Sequence, residues 1–154
     1  MLLGDGHANV LLGGSGNDYI LGRGRDDYLG GLGGDSLAGD QGNDYLLGGH
    51  GSDRIIAGAG DDTARGGPGN DIIANGDDLF IDFDGYDVFS GGVGDDDLSG
   101  GVGDDSLLGG QDDDHLLGER GDDALDGGAG ANDLCDGGEG LDTAEGCEQL
   151  IAVP

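Results

Sequence analysis

The chain has 154 residues, of which 40 are glycine, while 34% are apolar and 5% aromatic. This inventory is too small for the single hydrophobic core of a conventional globular domain. The 34 acidic and 5 basic residues give a formal charge of −29, whose self-repulsion opposes a compact state unless cations neutralise it. We therefore expect a chain that is disordered without a cationic ligand and that avoids nucleic acid and anionic membranes.

The first ten residues, 1–10, lack the basic region and the long apolar stretch of a secretory signal, and no apolar run is long enough to span a membrane. Two interpretations stay open. Either a signal segment is missing from this sequence, or export uses another route.

A nine-residue repeat is clearest over 91–126, which reads GGVGDDDLS, GGVGDDSLL, GGQDDDHLL and GERGDDALD. Asp is always sixth and Leu always eighth. Glycine tolerates positive φ and close backbone approach, so the first six positions predict a turn and the last three a short strand. Because side chains alternate along a strand, the eighth-position residue points inward and its neighbours outward.

From the N-terminus, the first unit is degenerate and spans 4–12, with Asn9 in the sixth position. The next two units, 13–20 and 21–29, have one residue fewer than two full repeats. This frame assigns Asp18 and Asp26 to the sixth position, and Ile20 and Tyr28 to the inward position. Regular units then start at residues 30, 39, 48, 57 and 66, and their sixth positions are Asp35, Asp44, Asp53, Asp62 and Asp71.

The repeat is interrupted at 75–81, a seven-residue unit that keeps Asp78 and Phe80. The next unit restores the frame with Asp87 and Phe89. We expect Phe80 to stack over Ala64, so that a large inward residue is offset by a small one. The string DFDGYD that starts at residue 82 lacks the ligand spacing and flanking helices of an EF-hand.

The later units carry the sixth-position residues Asp96, Asp105, Asp114, Asp123, Asp133 and Asp142, with Ala131 as the predicted insertion in a ten-residue unit, 127–136. Residues 146–154 have no glycine pair and no Asp, and they predict a cap over the last open strand edge. The expected organisation is a repeat domain over 1–145, with about sixteen repeats and an irregular stretch at 75–90, followed by the cap. The first coil has no such cap, so it frays, continues a preceding domain or meets another molecule.

Cys135 and Cys147 are the only cysteines. A local disulfide between them is favoured, because modules with small cores commonly need covalent links, and it would imply an oxidising compartment. Two reduced thiols remain the alternative, since Cys135 lies at an inward position where a small apolar residue also serves.

These units resemble the glycine-rich nonapeptide of the RTX, or haemolysin-type, calcium-binding repeat, G-G-x-G-x-D-x-U-x. The resemblance implies an all-β fold, a right-handed parallel β-roll (a β-solenoid) with two nonapeptide repeats per 18-residue coil. It also implies that Ca²⁺ binds between turns of successive coils on the same side, held by backbone carbonyls and sixth-position carboxylates. The expected metal ligands are Asp18, Asp26, Asp35, Asp44, Asp53, Asp62, Asp71, Asp78, Asp87, Asp96, Asp105, Asp114, Asp123, Asp133 and Asp142.

Up to about fourteen Ca²⁺ ions would fit between paired turns, and their charge would nearly cancel the −29 of the chain. Mg²⁺ fits less well, because it prefers strict octahedral geometry. Weak or empty sites are expected where Asn9 removes a carboxylate, where Asp112 replaces a turn glycine and at the shortened unit 75–81. The fifth-position acids are expected to be solvated charges, and they are Asp61, Asp95, Asp104, Asp113 and Asp122.

The function expected from this pattern is calcium-triggered folding of a secreted, extracellular or cell-surface bacterial module. By the family resemblance, such a chain suits passage through a type I secretion channel in unfolded form. No catalytic constellation is found: His7, His50 and His115 share no metal-ligand spacing, and no glycine-rich run precedes a helix that could bind phosphate. We therefore expect no enzymatic activity.

A second function class is a calcium-dependent, self-assembling subunit of an extracellular fibre or surface layer. Outward apolar residues cluster on one predicted face, namely Val10, Leu12, Leu29, Tyr45 and Leu47. Tyr19, Ile56 and Ile72 partly repeat this on the other face. Ordinary β propensity on a tolerant surface explains the same residues equally well. Ice binding is weaker, since no outward Thr ladder is present.

Overall fold

The computed structural model describes residues 1–76 and 85–151, and every regular element in these residues is a β-strand. The strands form two parallel sheets stacked as a β-solenoid of about 8 turns, with about 18 residues per turn. The expected all-β solenoid is therefore confirmed. No part of these ranges forms a helix long and apolar enough to cross a membrane.

Odd-numbered strands form a nine-stranded sheet and even-numbered strands an eight-stranded sheet. The nine-stranded sheet contains β1 (Leu2–Leu3), β3 (Tyr19–Leu21), β5 (Ser36–Gln41), β7 (Arg54–Ala59), β9 (Ile72–Ala74), β11 (Asp97–Val102), β13 (His115–Arg120), β15 (Leu134–Asp136) and β17 (Gln149–Leu150). The eight-stranded sheet contains β2 (Val10–Ser15), β4 (Tyr28–Leu32), β6 (Tyr45–Leu47), β8 (Thr63–Pro68), β10 (Val88–Val93), β12 (Ser106–Gln111), β14 (Ala124–Ala129) and β16 (Thr143–Glu145).

Each nine-residue unit contributes one strand and then crosses to the opposite sheet. Neighbours within a sheet are therefore two units apart, as where Leu98 pairs with Leu116 and Leu107 with Leu125. This register stacks equivalent turn residues of successive coils directly over one another. It creates the repeated environments described below.

The core is two files of inward residues facing each other between the sheets. The buried members of the eighth position are Ile20, Leu29, Leu37, Leu46, Ile55, Ala64, Ile73, Phe89, Leu98, Leu107, Leu116, Leu125 and Cys135. The predicted stacking of eighth-position residues is confirmed for most units. Because each coil adds only two such side chains, each coil buries little apolar surface.

The frame predicted for residues 21–29 was wrong by one position. Leu29 is fully buried and pairs with Leu11 and Leu46, whereas Tyr28 points outward and is 37% exposed. The missing residue lies one turn later than predicted, between β4 and β5. Asp27 rather than Asp26 consequently takes the sixth position, and Asp26 is exposed.

The predicted stacking of Phe80 over Ala64 was also wrong. Strand β10 pairs directly with β8, so Phe89 lies beside Ala64. Ala64 and Phe89 are 25 residues apart, and the same separation holds for Asp71 and its hydrogen-bond partner Asp96. Strands β8 and β10 are therefore direct neighbours in the eight-stranded sheet. Phe80 and the proposed ligand Asp78 lie outside the described residues.

The C-terminal segment extends the solenoid by one short strand, because β17 pairs with β15 through Leu134–Gln149 and Cys135–Leu150. Cys135 and Cys147 form a disulfide, and Cys147 packs against the core. That residues 146–154 act as a cap stays a prediction, and 152–154 lie outside the described part of the chain.

Candidate metal centres in the turns

Every regular turn buries the carboxylate of its sixth-position aspartate just before the strand begins. From Asp27 onward the described members are between 0% and 7% exposed. They are Asp27, Asp35, Asp44, Asp53, Asp62, Asp71, Asp87, Asp96, Asp105, Asp114, Asp123, Asp133 and Asp142. Asp18, which directly precedes β3, is only partly buried. Burying a carboxylate is costly unless it is hydrogen-bonded and its charge is compensated.

One carboxylate oxygen of each aspartate is hydrogen-bonded to the preceding coil. For example, the Asp87 N–H donates to Asp105 Oδ1 at 2.9 Å, and the Asp105 N–H donates to Asp123 Oδ1 at 2.8 Å. These bonds form two ladders, one along each side of the solenoid. The first ladder runs through Asn9, Asp27, Asp44, Asp62, Asp87, Asp105, Asp123 and Asp142. The second runs through Asp18, Asp35, Asp53, Asp71, Asp96, Asp114 and Asp133 and ends at Glu148.

The other carboxylate oxygen, Oδ2, is buried and has no hydrogen-bond partner in all thirteen aspartates from Asp27 to Asp142 named above. An unsatisfied buried acceptor costs roughly 1–3 kcal/mol, and more when it is charged. The structure thus leaves a regular series of unpaired carboxyl oxygens inside its turns. Their regularity indicates a common ligand rather than isolated packing defects.

The aspartate carboxylate packs so closely against the first glycine of most turns that a Cβ atom there would clash with it. At Gly109, a Cβ atom would lie against Asp114 Oδ2 and within 2.6 Å of the Gly127 carbonyl oxygen of the next coil. At Gly118, the same position faces Asp123 Oδ2 and the Gly137 carbonyl oxygen. At these two glycines a carboxylate oxygen and a backbone carbonyl oxygen of the next coil therefore lie close to one another. Ala57 stands at this position beside Asp62 and is fully buried.

The fourth turn position requires left-handed backbone and close stacking on the previous coil. Gly103 has φ +135°, and a Cβ there would overlap the Gly85 carbonyl. Asp112 takes the equivalent position with φ +79° and is exposed. The backbone thus accommodates Asp112 in place of a turn glycine, although non-glycine residues are strained in the left-handed region.

Burial raises the pKa of seven ladder carboxyls well above that of a free aspartate. The pKa of Asp62 is raised to about 8, those of Asp87 and Asp96 to about 7, and those of Asp44, Asp71, Asp105 and Asp114 to about 6. Neighbouring aspartates add repulsion in the same direction, whereas the backbone N–H bond opposes both. Without a compensating cation, the turns therefore favour protonated carboxyls.

The structure places the predicted ligand residues from Asp35 to Asp71 and from Asp87 to Asp142 at the buried sixth position, stacked along the two ladders. Asp26 is the exception, because Asp27 occupies its place, and Asp78 lies outside the described residues. The fifth-position acids are exposed as predicted, and they accept bonds from neighbouring turns, as Asp104 Oδ1 does from the Asp122 N–H at 2.9 Å. Within the described ranges, no group of three or more His, Cys, Asp or Glu side chains forms a metal-binding cluster.

Glu148 is a ladder residue that sequence reasoning missed. Its Oε2 accepts the Asp133 N–H at 3.0 Å, in the place where an Asp Oδ1 stands in every earlier coil. A faint signal existed, since Glu148 directly precedes the short strand β17 as each ladder aspartate precedes its own strand. Residues 146–154 lack the glycine pattern of the repeat, so the spacing did not identify Glu148 as a ladder residue.

The turn residues fit a hard, oxygen-liganded cation. Ca²⁺ takes six to eight oxygen ligands from carboxylates, backbone carbonyls and water with tolerant geometry. The unpaired Oδ2 atoms and the adjacent carbonyl oxygens are ligands of this type. A cation bound there would neutralise the buried charges that otherwise destabilise the fold.

Comparison with known proteins agrees with this geometry. The model of the RTX calcium-binding nonapeptide repeat (4 copies) matches residues 3–37, 29–64, 47–78, 74–107, 99–134 and 108–144. A search of curated proteins finds no match. Proteins of this structural repeat family bind Ca²⁺ and are typically bacterial and extracellular. With matches covering nearly its whole length and a solenoid of stacked acidic turns, the chain belongs to the RTX calcium-binding nonapeptide repeat family.

Proposed function

We propose that this chain is a structural module that folds outside the cell when several Ca²⁺ ions bind between its coils, without catalysis. The observation that carries the proposal is the repeated, buried and unpaired Oδ2 atom, which lies so close to a turn glycine that a Cβ atom would not fit there. The proposed carboxylate ligands are the aspartates of the two ladders, including Asp18. Asp27 replaces Asp26 in this set.

Occupancy is expected to differ along the ladders. Asn9 lacks a carboxylate, and Ala57 stands in the first turn position beside Asp62, where most turns have a glycine. The sites beside these two residues should be weaker than the regular ones over 91–126. Up to about fourteen ions was the count expected from the sequence, and these irregular turns argue for fewer.

The free energy available from such sites is sufficient to control folding. Extracellular calcium modules have a Kd of ~10⁻⁴ to 10⁻³ M, so each saturated site adds ~1 kcal/mol to the folded state. Roughly ten sites would add on the order of 10 kcal/mol, which equals the stability of a typical domain. At the low Ca²⁺ of a cytosol the chain should stay unfolded, as passage through a secretion channel requires.

Removal and addition of Ca²⁺ test this function. Far-ultraviolet circular dichroism should change from a disordered to a β spectrum on addition of millimolar Ca²⁺ at pH 7.5, and excess chelator should reverse the change. Elemental analysis of the folded protein should find several calcium ions per chain. A β spectrum that persists in excess chelator at this pH, with no bound metal, contradicts the proposal.

A second candidate, calcium-dependent self-assembly, is favoured by one apolar surface on β2, β4 and β6. Val10 and Leu12 are 70% and 60% exposed, and the outward rings of Tyr28 and Tyr45 stack with centroids 5.3 Å apart. Leu29 does not belong to this surface, because it is buried in the core. The edge strand β1 offers a further contact.

Sedimentation velocity separates these two candidates. If the apolar surface mediates assembly, the wild-type protein should form oligomers in millimolar Ca²⁺, and the paired substitutions Val10→Thr and Leu12→Thr should abolish them. A matched control is Leu108→Thr, an exposed leucine on β12 of the same sheet. A wild-type monomer at all accessible concentrations removes the assembly function and leaves the folding module intact.

A further inference from the structure

The outer face of the nine-stranded sheet carries few charges, although the chain as a whole is strongly acidic. On each strand from β3 to β15, the residues before and after the buried core residue point outward, because side chains alternate along a strand. Among these outward residues only Asp97 and Asp136 are acidic, and Arg54 is the only arginine. The repulsion between acidic turns is therefore weakest across this face.

The outward residues form two rows that run across the strands. The leading row, one residue before the core residue, consists of Tyr19, Ser36, Arg54, Ile72, Asp97, His115 and Leu134. The trailing row, one residue after it, consists of Leu21, Ala38, Ile56, Ala74, Ser99, Leu117 and Asp136. The trailing row is apolar over most of its length.

A shallow cavity of about 190 Å³ lies on this face over β9, β11 and β13. It is present where the small residues Ala74 and Ser99 stand beside the larger Leu117 in the trailing row. A cavity of ~150 Å³ can hold a benzene molecule, so this one can receive an aliphatic side chain. The Ser99 hydroxyl already donates to Glu119 Oε1, so it would keep a partner when the cavity is covered.

Strand β9 is the centre of the sheet, with four strands on either side. A two-fold axis along β9 would bring two copies together face to face. It would place β7 of one copy on β11 of the second, and β5 on β13. Because rotation about the strand direction does not exchange the rows, each row would face its own counterpart. Two-fold axes of this kind relate the subunits of most homodimers, and every contact then occurs twice.

This axis makes the face self-complementary in charge. Arg54 on β7 would face Asp97 of the partner subunit on β11, and the reverse contact would form as well. Within residues 1–76 and 85–151, Arg54 takes part in no ion pair, and β9 separates it from the Asp97 of its own chain. The Asp97 carboxylate is 66% exposed and accessible to a second copy.

The same axis makes the face complementary in size. Ile56 would face Ser99 of the partner subunit and enter the cavity beside Ala74. Leu117 would face Ala38 of the partner subunit, so each large residue of the trailing row meets a small one. In the leading row Ile72, which is 41% exposed, would pack on its own counterpart at the axis.

The area of this face is sufficient for a reversible dimer. Nine strands spaced ~4.8 Å apart make it about 38 Å long, and strands of mostly three or six residues make it about 10 to 20 Å wide. Roughly 600 Å² per copy, or ~1,200 Å² in total, lies at the lower end of the range for specific interfaces.

We propose that two copies of this chain associate through their nine-stranded sheets, with antiparallel solenoid axes, about a two-fold axis along β9. The proposal rests on the proposed function in one respect, since bound Ca²⁺ must first reduce the repulsion between two chains of formal charge −29. The contact lies on the sheet opposite to the apolar surface of β2, β4 and β6. Substitutions therefore separate the two.

The experiment uses charge reversal on the two facing residues, Arg54→Asp and Asp97→Arg. Sedimentation velocity is measured in millimolar Ca²⁺, at a concentration where circular dichroism shows each variant to be fully folded. Wild type should be a dimer. Each variant alone should dimerise about tenfold or more weakly, because like charges then face each other at both contacts of the dimer.

An equimolar mixture of the two variants should recover dimers of wild-type affinity. In the mixed dimer, Asp introduced at 54 faces Arg introduced at 97, and the native Asp97 faces the native Arg54. Both contacts are then complementary, and the total charge equals that of the wild-type dimer. A folding defect in either variant could not produce this recovery.

The matched control is Arg65→Asp, which makes the same charge change at an exposed arginine on β8 of the other sheet. It should dimerise nearly as well as wild type, as should the protein with Val10→Thr and Leu12→Thr. A folded wild-type monomer in Ca²⁺, equal weakening by Arg54→Asp and Arg65→Asp, or a mixture that stays monomeric would each overturn the inference.

Failure of the proposed function gives a different result. The wild-type protein would then keep its β spectrum in excess chelator without bound metal, and the mixing experiment could be carried out under those conditions. A folded monomer that binds Ca²⁺ overturns only the dimer.

Discussion

Metal-depleted protein is expected to fold when the pH is lowered from 8 to 5. Seven ladder carboxyls have a pKa of about 6 to 8 in the folded state, compared with 3.8 for an unperturbed aspartate. A raised folded-state pKa means that folding takes up protons. This contribution to stability is complete below pH 3.8, and it is lost as the pH rises through 6 to 8. Protons should therefore replace Ca²⁺ as the neutralising ligand.

The measurement is circular dichroism of protein depleted of metal on a chelating resin, followed from pH 8 to pH 5, which stays above the isoelectric point of about 4.1. The β signal should rise as the pH falls. In saturating Ca²⁺ the trend should reverse, because protons then compete with the cation. Metal-free protein that remains disordered throughout this range would show that the buried carboxyls do not limit folding.

The substitution Asp105→Asn is expected to have opposite effects with and without calcium. Asp105 is 1% exposed, its Oδ1 accepts the Asp87 N–H at 2.9 Å, and its Oδ2 has no partner. Asparagine keeps the accepting oxygen but removes the buried charge. Metal-free protein should gain stability on the order of 1 kcal/mol, after allowance for solvent screening, because burial no longer opposes an ionised group.

In the presence of Ca²⁺ the same variant should lose about one site, or ~1 kcal/mol. At the pH where half of the metal-free wild type is folded, the folded-to-unfolded ratio of Asp105→Asn should be about fivefold higher. At the Ca²⁺ concentration where half of the wild type is folded, that ratio should be about fivefold lower. Circular dichroism measures both ratios.

The matched control is Asp104→Asn, which removes the same charge from the adjacent exposed residue. Asp104 Oδ1 accepts the Asp122 N–H at 2.9 Å, and asparagine preserves this acceptor. The control should shift both equilibria slightly toward the folded state, because it reduces general repulsion. If Asp105→Asn destabilised the protein under both conditions, removal of the buried charge would not favour the metal-free fold, and the proposed cost of that charge would be wrong.

The two predictions share one physical origin. The core contributes two inward side chains per coil, so the carboxylates in the turns determine whether the coils associate. A proton, an amide substitution or a cation each removes the cost of the buried charge. Only the cation also adds ligand bonds between coils, which is why it should be the natural trigger near neutral pH.

Much of the architecture followed from the period of nine and from side-chain alternation. An Asp before a three-residue apolar strand predicted the buried carboxylates from Asp35 to Asp71 and from Asp87 to Asp142. It also predicted the inward leucines of the units over 91–126. These positions follow from local spacing alone, because every unit repeats the same turn and the same strand.

Strand register determined the rest. At Asp26-Asp27-Tyr28-Leu29, a shift of one residue still places an acid before an apolar residue, so the spacing fits both frames. Only the pairing of Leu29 with Leu11 and Leu46 identifies Asp27 as the buried acid. Phe89 rather than Phe80 lies beside Ala64 for the same reason, because only the pairing of β10 with β8 identifies the neighbour. Glu148 became visible as a ladder residue because parallel pairing places it over Asp133, a contact between coils that no spacing along the chain encodes.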